Sequence, residues 1–220
     1  MGEHLVAAMA PKTVSIFGFS VPHSVVVSWV IIALLGLVFW LCGHRAQMVP
    51  GRLQLAGEWF VAFMDDFVTG MVGPIGRALS PYFGAVALYL CLSNLSGLWG
   101  VDPPTRDLNV TAALALSALA VMYGTLFAEK GLKGVAHRML EPSLIMVPFN
   151  LIDIVTRPLS LCMRLFGNIF GAYVVMTLVH SLCPVVLPAV FGLYFDLFDG
   201  LIQMVVFVFL TLMYTQDLLD

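Results

Sequence analysis

Charged side chains are scarce in this sequence, and their scarcity excludes a soluble globular protein. Aspartate, glutamate, lysine and arginine make up 10% of the 220 residues, whereas 60% are hydrophobic and the mean hydropathy is +0.99. Soluble domains usually contain about 25% charged residues. The composition therefore predicts a polytopic membrane protein, for which membrane lipid is a partner and nucleic acid is not.

Cysteine is also rare, and alternating strand patterns and a signal peptide are absent. The four cysteines, Cys42, Cys91, Cys162 and Cys183, lie in or beside apolar runs without the spacing of metal ligands. We therefore predict that they are packing residues, and we expect no metal and no cofactor. Residues 1–13 lack the basic and apolar regions of a cleaved signal peptide, so the first helix is expected to direct insertion. Without short alternating strands, a β-barrel is not expected.

Four runs of residues carry no aspartate, glutamate, lysine or arginine, and each is long enough to cross a membrane as a helix. The runs are residues 24–42, 78–101, 108–128 and 165–195. These runs predict an all-α fold built from membrane-spanning helices.

The distribution of basic residues predicts the topology. They cluster in residues 43–52 and 129–138, and the positive-inside rule makes both loops cytoplasmic, with the amino terminus outside. Residues 53–71 mix apolar residues with three acidic ones. This segment forms either a helix at the cytoplasmic interface or a soluble linker helix. Residues 102–107 contain two prolines and form a stiff outer turn.

The carboxy-terminal half contains two helices that are longer than a membrane is thick. Residues 149–181 and about 189–218, with Pro184 and Pro188 between them, are roughly 50 and 45 Å long, against a hydrocarbon core of about 30 Å. We therefore expect upright transmembrane helices followed by a long, strongly tilted antiparallel two-helix hairpin. The expected parts are an outer amino-terminal segment (residues 1–23), three transmembrane helices with the interfacial helix (residues 24–143) and the hairpin (residues 144–220).

Arg164 is the most informative residue. The next aspartate, glutamate, lysine or arginine is Asp196, so the guanidinium is followed by a long apolar run. An arginine does not lose its proton, and placing it at bilayer depth costs at least about 3 kcal/mol. A snorkelling arginine at a helix end fits this position poorly, because Arg157 is better placed for that. Arg164 is therefore predicted to be functional.

Arg164 belongs to a polar stripe on the first helix of the hairpin. The members are spaced by four, seven and four residues, which places them on nearly one face. They are Asp153, Arg157, Arg164 and Asn168. Gly167 and Gly171 lie beside this stripe. They either pack within the hairpin or allow another helix to dock closely.

The second helix of the hairpin carries Asp196, Asp199 and Gln203, at spacings of three and four residues. Polar groups are costly there unless they meet water or a partner. The two aspartates are either interfacial or functional, whereas Gln203 lies deeper and is predicted to meet Arg164 across the hairpin. His180 and Asn94 are weaker candidates: we expect an interfacial histidine and an asparagine that bonds within its own helix pair.

Five motifs in order along the chain resemble subunit a of rotary F-type ATP synthases. The principal one is Arg-Pro-Leu-Ser-Leu-Cys-Met-Arg-Leu-Phe-Gly-Asn at residues 157–168. The others are Val-Pro-Gly-Arg-Leu-Gln at residues 49–54, Pro-Pro-Thr and Asp-Leu-Asn within residues 103–109, Val-Pro-Phe-Asn-Leu-Ile at residues 147–152, and the helix of Gln203.

The resemblance implies a non-catalytic, multi-pass subunit of the cell inner or plasma membrane, with the c-ring and the peripheral-stalk subunit b as partners. It implies that Arg164 faces the ring carboxylates, with Asn168 and Gln203 beside it. Asp196 would lie in the outer half-channel. Asp153 and Arg157 would lie toward the cytoplasmic half-channel. Some bacterial members carry a glutamate where this chain has Tyr173, so its outer path is expected to rely more on Asp196 and Asp199.

The resemblance does not say whether the coupling ion is H⁺ or Na⁺. The residues alone also leave open a secondary transporter or a free-standing ion channel, in which Arg164 would bind substrate or gate a pore. Such a protein is expected to have discontinuous short helices and a complete binding cavity within one chain. A membrane scaffold would leave Arg164 and Gln203 unexplained.

Overall fold

The computed structural model describes residues 13–16, 19–44, 51–140, 147–182 and 190–219. Three residues that the sequence analysis used lie outside this part of the chain. They are Cys183, Pro184 and Pro188, so the turn of the predicted hairpin is not described. The side chain of His180 also lies outside the described residues.

Helices dominate the described residues. The α-helices are α1 (His23–His44), α2 (Arg52–Val72), α3 (Gly76–Leu95), α4 (Leu108–Leu140), α5 (Val147–Leu182) and α6 (Gly200–Leu219). Short 3₁₀ helices cover Ser96–Trp99 and Pro104–Arg106, and a π-helical segment, Leu193–Asp199, leads into α6. Five helical segments are long and apolar enough to cross a membrane: His23–His44, Gly76–Trp99, Leu108–Gly131, Ile152–Val179 and Val190–Leu219. The all-α polytopic class predicted from the sequence is confirmed.

A short β-hairpin precedes α1, in a segment where the sequence has no clear alternating strand pattern. Strands β1 (Thr13–Ile16) and β2 (Phe19–Pro22) pair antiparallel, with Thr13 opposite Pro22. The segment is rich in valine, isoleucine and phenylalanine, which favour extended backbone. Four residues per strand make the alternating pattern too short to stand out in a sequence dominated by helical runs.

Helix α1 is attached to the other helices by polar contacts near its amino-terminal end. The Ser24 hydroxyl donates to Asp107 Oδ2 at 2.6 Å, and the Ser28 and Tyr89 hydroxyls are 2.8 Å apart. Most of its large apolar side chains, such as Trp29 and Trp40, are exposed. In a membrane these side chains meet lipid or another apolar helix.

The core of the described part lies between α3, α4, α5 and α6. Leu90, Ala118, Leu165 and Phe207, one from each of these helices, are buried together. Cys162 is buried in the same cluster, so at this position the predicted packing role of cysteine is confirmed. The burial of Leu165 fixes the rotation of α5 about its axis. Because Arg164 directly precedes Leu165, the same packing fixes the side of α5 on which Arg164 lies.

Helix α2 is not one of the five candidate spans, and it packs on the core instead. Its buried residues Met64 and Val68 contact a cluster that includes Phe83 of α3 and Leu212 of α6. Trp59 and Phe63 on its other side are exposed. An apolar exposed side next to acidic residues fits the interfacial helix better than the soluble linker, and its depth in the membrane stays a prediction.

Helices α5 and α6 run antiparallel, as two pairs of contacts demonstrate. Arg157 near the start of α5 contacts Asp217 near the end of α6, whereas Asn168 further along α5 contacts Gln203 near the start of α6. Helix α5 has 36 residues and is therefore about 54 Å long. Its length fits the expected tilt, which itself stays a prediction.

Candidate functional site

Arg164 lies on α5 at the edge of the buried face. Leu161 and Leu165, which flank it on that face, are buried in the core, whereas Arg164 itself is half-buried and Met163 is exposed. Among the residues that the structure describes, no carboxylate lies within 4 Å of its guanidinium and no hydrogen bond satisfies it. A permanent charge therefore lies beside the core without a partner among the described residues.

Gln203 meets Asn168 rather than Arg164, so the predicted contact across the hairpin differs from the observed one. The Asn168 side-chain amide donates from Nδ2 to Gln203 Oε1 at 2.6 Å. The antiparallel register brings Asn168 level with Gln203 and leaves Arg164 one helical turn away. Sequence spacing identified both polar stripes but not this register, because it depends on how two helices separated by a turn slide past each other.

The amide of Gln203 is only half satisfied. Gln203 is 3% exposed, and its Nε2 atom is buried without a hydrogen-bond partner in the described part of the chain. A buried donor without a partner costs about 1–3 kcal/mol. This atom can donate to a water molecule or to an acceptor brought by another subunit.

A cavity of about 190 Å³, called the polar cavity for the polar side chains in its lining, lies beside Gln203, between the end of α3, residues 100–103, α5 and the start of α6. Asp196 and Asp199 line it together with Gln203, so the structure brings the three predicted residues of the second helix together. Its other polar side chains are Asn94, Asp102 and Tyr173. The volume accommodates several water molecules, and two carboxylates favour cations over anions.

The two cavity aspartates lie on the π-helical segment Leu193–Asp199. π-helical turns are rare and occur often at functional sites, because the wider turn re-aims side chains and frees backbone groups. The Asp196 carboxylate packs closely against Gly97: a Cβ atom at residue 97 would lie 2.6 Å from Asp196 Oδ1. Position 97 therefore requires glycine if Asp196 is to keep its place.

Asn94 connects three elements around the cavity, which differs from the expected bonding within its own helix pair. Its Nδ2 donates to the carbonyl oxygen of Gly200 at 2.8 Å, and its Oδ1 accepts from Thr105 Oγ1 at 3.1 Å. Gly200 also packs tightly against the Asn94 side chain, because a Cβ atom at residue 200 would lie 2.8 Å from Asn94 Cβ. Asn94 thus fixes the start of α6 against α3 and the outer turn.

Arg106 is a residue that the sequence analysis did not select. Its guanidinium lies over the Tyr173 ring, 3.4 Å from the ring centroid, and its Nη1 donates to Asp102 Oδ1 at 3.0 Å. Both partners line the cavity. The only signal in the sequence is the four-residue spacing of Asp102 and Arg106, which also occurs in ordinary surface turns.

Asp153 and Arg157, the other two predicted residues, lie away from this cavity. Arg157 Nη2 is 2.6 Å from Asp217 Oδ2 and 3.7 Å from Asp153 Oδ2, and Nη1 donates to the carbonyl oxygen of Tyr214 at 3.4 Å. Asp217 was not selected from the sequence, where it is one acidic residue near the end of an apolar run. The structure therefore separates the predicted stripe into a paired end at Arg157 and, at Arg164, an arginine without a partner among the described residues.

The fold and this site define a class: a multi-pass membrane protein with an arginine that has no partner among the described residues and with a cavity, lined by three aspartates, between its apolar helices. The family model described as ATP synthase A chain matches residues 25–216. Relatives include the ATP synthase subunit a, sodium ion specific, of Propionigenium modestum, 32% identical over 91% of this chain and 75% of that protein. ATP synthase subunit a 1 of Syntrophotalea carbinolica is 33% identical over 99% and 94%, and ATP synthase subunit a of Moorella thermoacetica is 32% identical over 88% and 89%.

This chain belongs to the ATP synthase A chain family. The match covers every described helix from α1 to α6 except the extreme ends. The family resemblance that the sequence motifs indicated is confirmed. The chain is therefore a membrane subunit of an ATP synthase.

Proposed function

We propose that this chain is the non-catalytic stator subunit that couples ion flow to rotation of the c-ring through two offset half-channels. The observation that carries the proposal is the half-buried Arg164, which has no partner among the described residues and lies one turn from Asn168 and Gln203. An uncompensated guanidinium between apolar helices is costly. A carboxylate supplied by a neighbouring subunit would compensate it.

Arg164 acts on the ring through its permanent charge. A guanidinium stabilises the ionised form of a carboxylate that approaches it, so a ring site releases its ion on arrival. The same charge repels free cations and prevents leakage from one half-channel to the other. Because an ion enters from one side and leaves only to the other, transport requires rotation. Each elementary charge that crosses about 100 mV supplies roughly 2.3 kcal/mol.

The outer half-channel is the polar cavity lined by Asp196, Asp199 and Gln203. The carboxylates attract a cation from the outer side, and the unpaired Nε2 of Gln203 holds a water molecule or a carboxylate oxygen at the inner end. Asn168 fixes the orientation of that amide. Asp153 and Arg157 belong to the cytoplasmic half-channel, where the ion pair of Arg157 with Asp217 holds the start of α5 against the end of α6.

The ring docks on the side of α5 that carries Gly167 and Gly171. A Cβ atom at either glycine would meet nothing within 4 Å in the chain itself, so this side is open for the close approach of another helix. The exposed apolar side chains of α1 face lipid and the peripheral-stalk subunit b. The proposed orientation in the cell inner or plasma membrane has residues 1–23 outside, upright helices within residues 24–143 and the tilted hairpin in residues 144–220.

Thiol labelling tests the outer half-channel. In a background lacking the four native cysteines, Asp196→Cys and Asp199→Cys should react with a membrane-impermeant thiol reagent applied from outside, because both positions line a water-accessible cavity. Phe209→Cys, which is an exposed apolar position on α6, is the matched control and should stay unreactive in lipid. Equal inertness at all three positions would show that the aspartates are merely interfacial or buried.

Gly97→Ala tests the position of Asp196. The added methyl group would overlap the carboxylate, so the Asp196 side chain must move out of its place. We expect gradient-driven ATP synthesis by the assembled complex to fall about tenfold, with unchanged amounts of complex. Gly36→Ala, where a Cβ atom meets nothing within 4 Å, should behave like the native chain. Native rates of ATP synthesis in Gly97→Ala would mean that ion transport does not depend on the position of the Asp196 carboxylate.

Co-purification separates this function from a secondary transporter or a free-standing ion channel. The stator function requires an oligomeric ring of small carboxylate-bearing subunits in the same complex, whereas the alternatives do not. Isolation of a fully transporting chain without such a ring would support the alternatives.

A further inference from the structure

Arg106, Asp102 and Tyr173 form a cluster beside the polar cavity. Asp102 and Tyr173 line the cavity, and Arg106, which is not among its lining residues, contacts both of them. The side chain of Arg106 is 18% exposed, whereas that of Asp102 is 37% exposed. The cation is thus mostly enclosed, and the carboxylate presents part of its surface to the solvent.

The cluster places the permanent positive charge of Arg106 beside the cavity through which cations enter in the proposed function. The guanidinium lies at van der Waals distance from the Tyr173 ring, an arrangement that binds a cation by the ring quadrupole. Its hydrogen bond to Asp102 cancels its charge locally. Removal of either charged group would change the net charge beside the cavity by one unit, and the low dielectric there strengthens its effect.

We infer that Arg106 is a positioning residue that holds Tyr173 and Asp102 as a charge-balanced cap on the outer cavity, and that this balance sets how readily cations reach Asp196 and Asp199. The inference rests on the proposed outer half-channel. The Tyr173 ring is an uncharged part of the cavity lining and is held in place by the Arg106 guanidinium that stacks on it. Asp102 offsets the charge of Arg106. Arg106 thereby holds Asp102 and Tyr173 in place without repelling a cation that enters the cavity.

The electrostatic part is measured with a reporter cysteine in the whole complex. Met176→Cys lines the cavity without changing its charge, and all four native cysteines are replaced. Right-side-out vesicles are treated with a cationic and an anionic methanethiosulfonate reagent of similar size. The ratio of the two labelling rates reports the potential inside the cavity, and a merely structural role of Arg106 would change both rates alike.

We expect opposite shifts for the two single variants. Arg106→Gln removes a positive charge and should raise the cationic-to-anionic ratio about tenfold, whereas Asp102→Asn removes a negative charge and should lower it about tenfold. The double variant and Arg106→Lys should stay within about threefold of the native ratio. Equal ratios in all five chains would overturn the inference while leaving the cavity in place. An unreactive reporter in every background would overturn the water-filled cavity itself, and the inference with it.

Discussion

Arg164→Ala is expected to abolish gradient-driven ATP synthesis while the complex still assembles. The guanidinium makes no hydrogen bond or ion pair within the described part of the chain, so its removal breaks no polar contact among the described residues. It does remove the charge that, in the proposed function, makes a ring carboxylate release its ion. Synthesis is measured in vesicles with an imposed ion gradient, and assembly is measured by the amount of intact complex.

Arg164→Lys should fail as well, although it keeps a cation. A lysine is a compact charge that loses its proton more readily when it is desolvated, and it lacks the planar donors of a guanidinium. Met163→Ala, at the exposed neighbouring position, is the matched control and should keep most activity. Robust synthesis by either Arg164 variant would contradict the assigned role.

Gln203→Leu is expected to slow coupled transport by about tenfold or more without abolishing it. The substitution removes the acceptor of the Asn168 amide and the inward-facing Nε2 donor, and a lost hydrogen bond of a buried polar group costs about 1–3 kcal/mol. The charge of Arg164 survives, so some transport should remain. The rate of ATP-driven ion uptake is the measurement.

The contact between the two amides is tested by combining substitutions. If Asn168 acts by orienting Gln203, then Asn168→Leu should slow uptake, and the double variant should be little worse than Gln203→Leu alone. Fully additive losses would mean that the two residues act independently. Native uptake in Gln203→Leu would remove Gln203 from the ion path.

The sequence predicted those parts of the site that follow from local pattern. Arg164 stood out because a permanent charge within an apolar run is costly wherever the helices pack, and Asp196, Asp199 and Gln203 stood out for the same reason. The helices themselves were predicted because each long apolar run has few ways to satisfy its backbone in lipid except as a helix.

The contacts between distant segments were not predictable in this way. Asn94 and Gly200 are separated by 106 positions, and Arg157 and Asp217 by 60. Whether such residues meet depends on helix rotation and register, which side-chain packing of the whole bundle determines. The π-helical segment changes the rotation of the residues that carry both aspartates. These features therefore required the structure.

The central claim is that this chain has no continuous ion path of its own and transports ions only with a ring carboxylate. The most direct measurement is ion flux across vesicles that contain the membrane sector, under an imposed potential, with and without sodium. One preparation has the native ring and the other has the ring carboxylate replaced by its amide. The account predicts flux of one cation with the native ring and none with the amide ring. Equal flux in both preparations would contradict it and identify the chain as a channel in its own right.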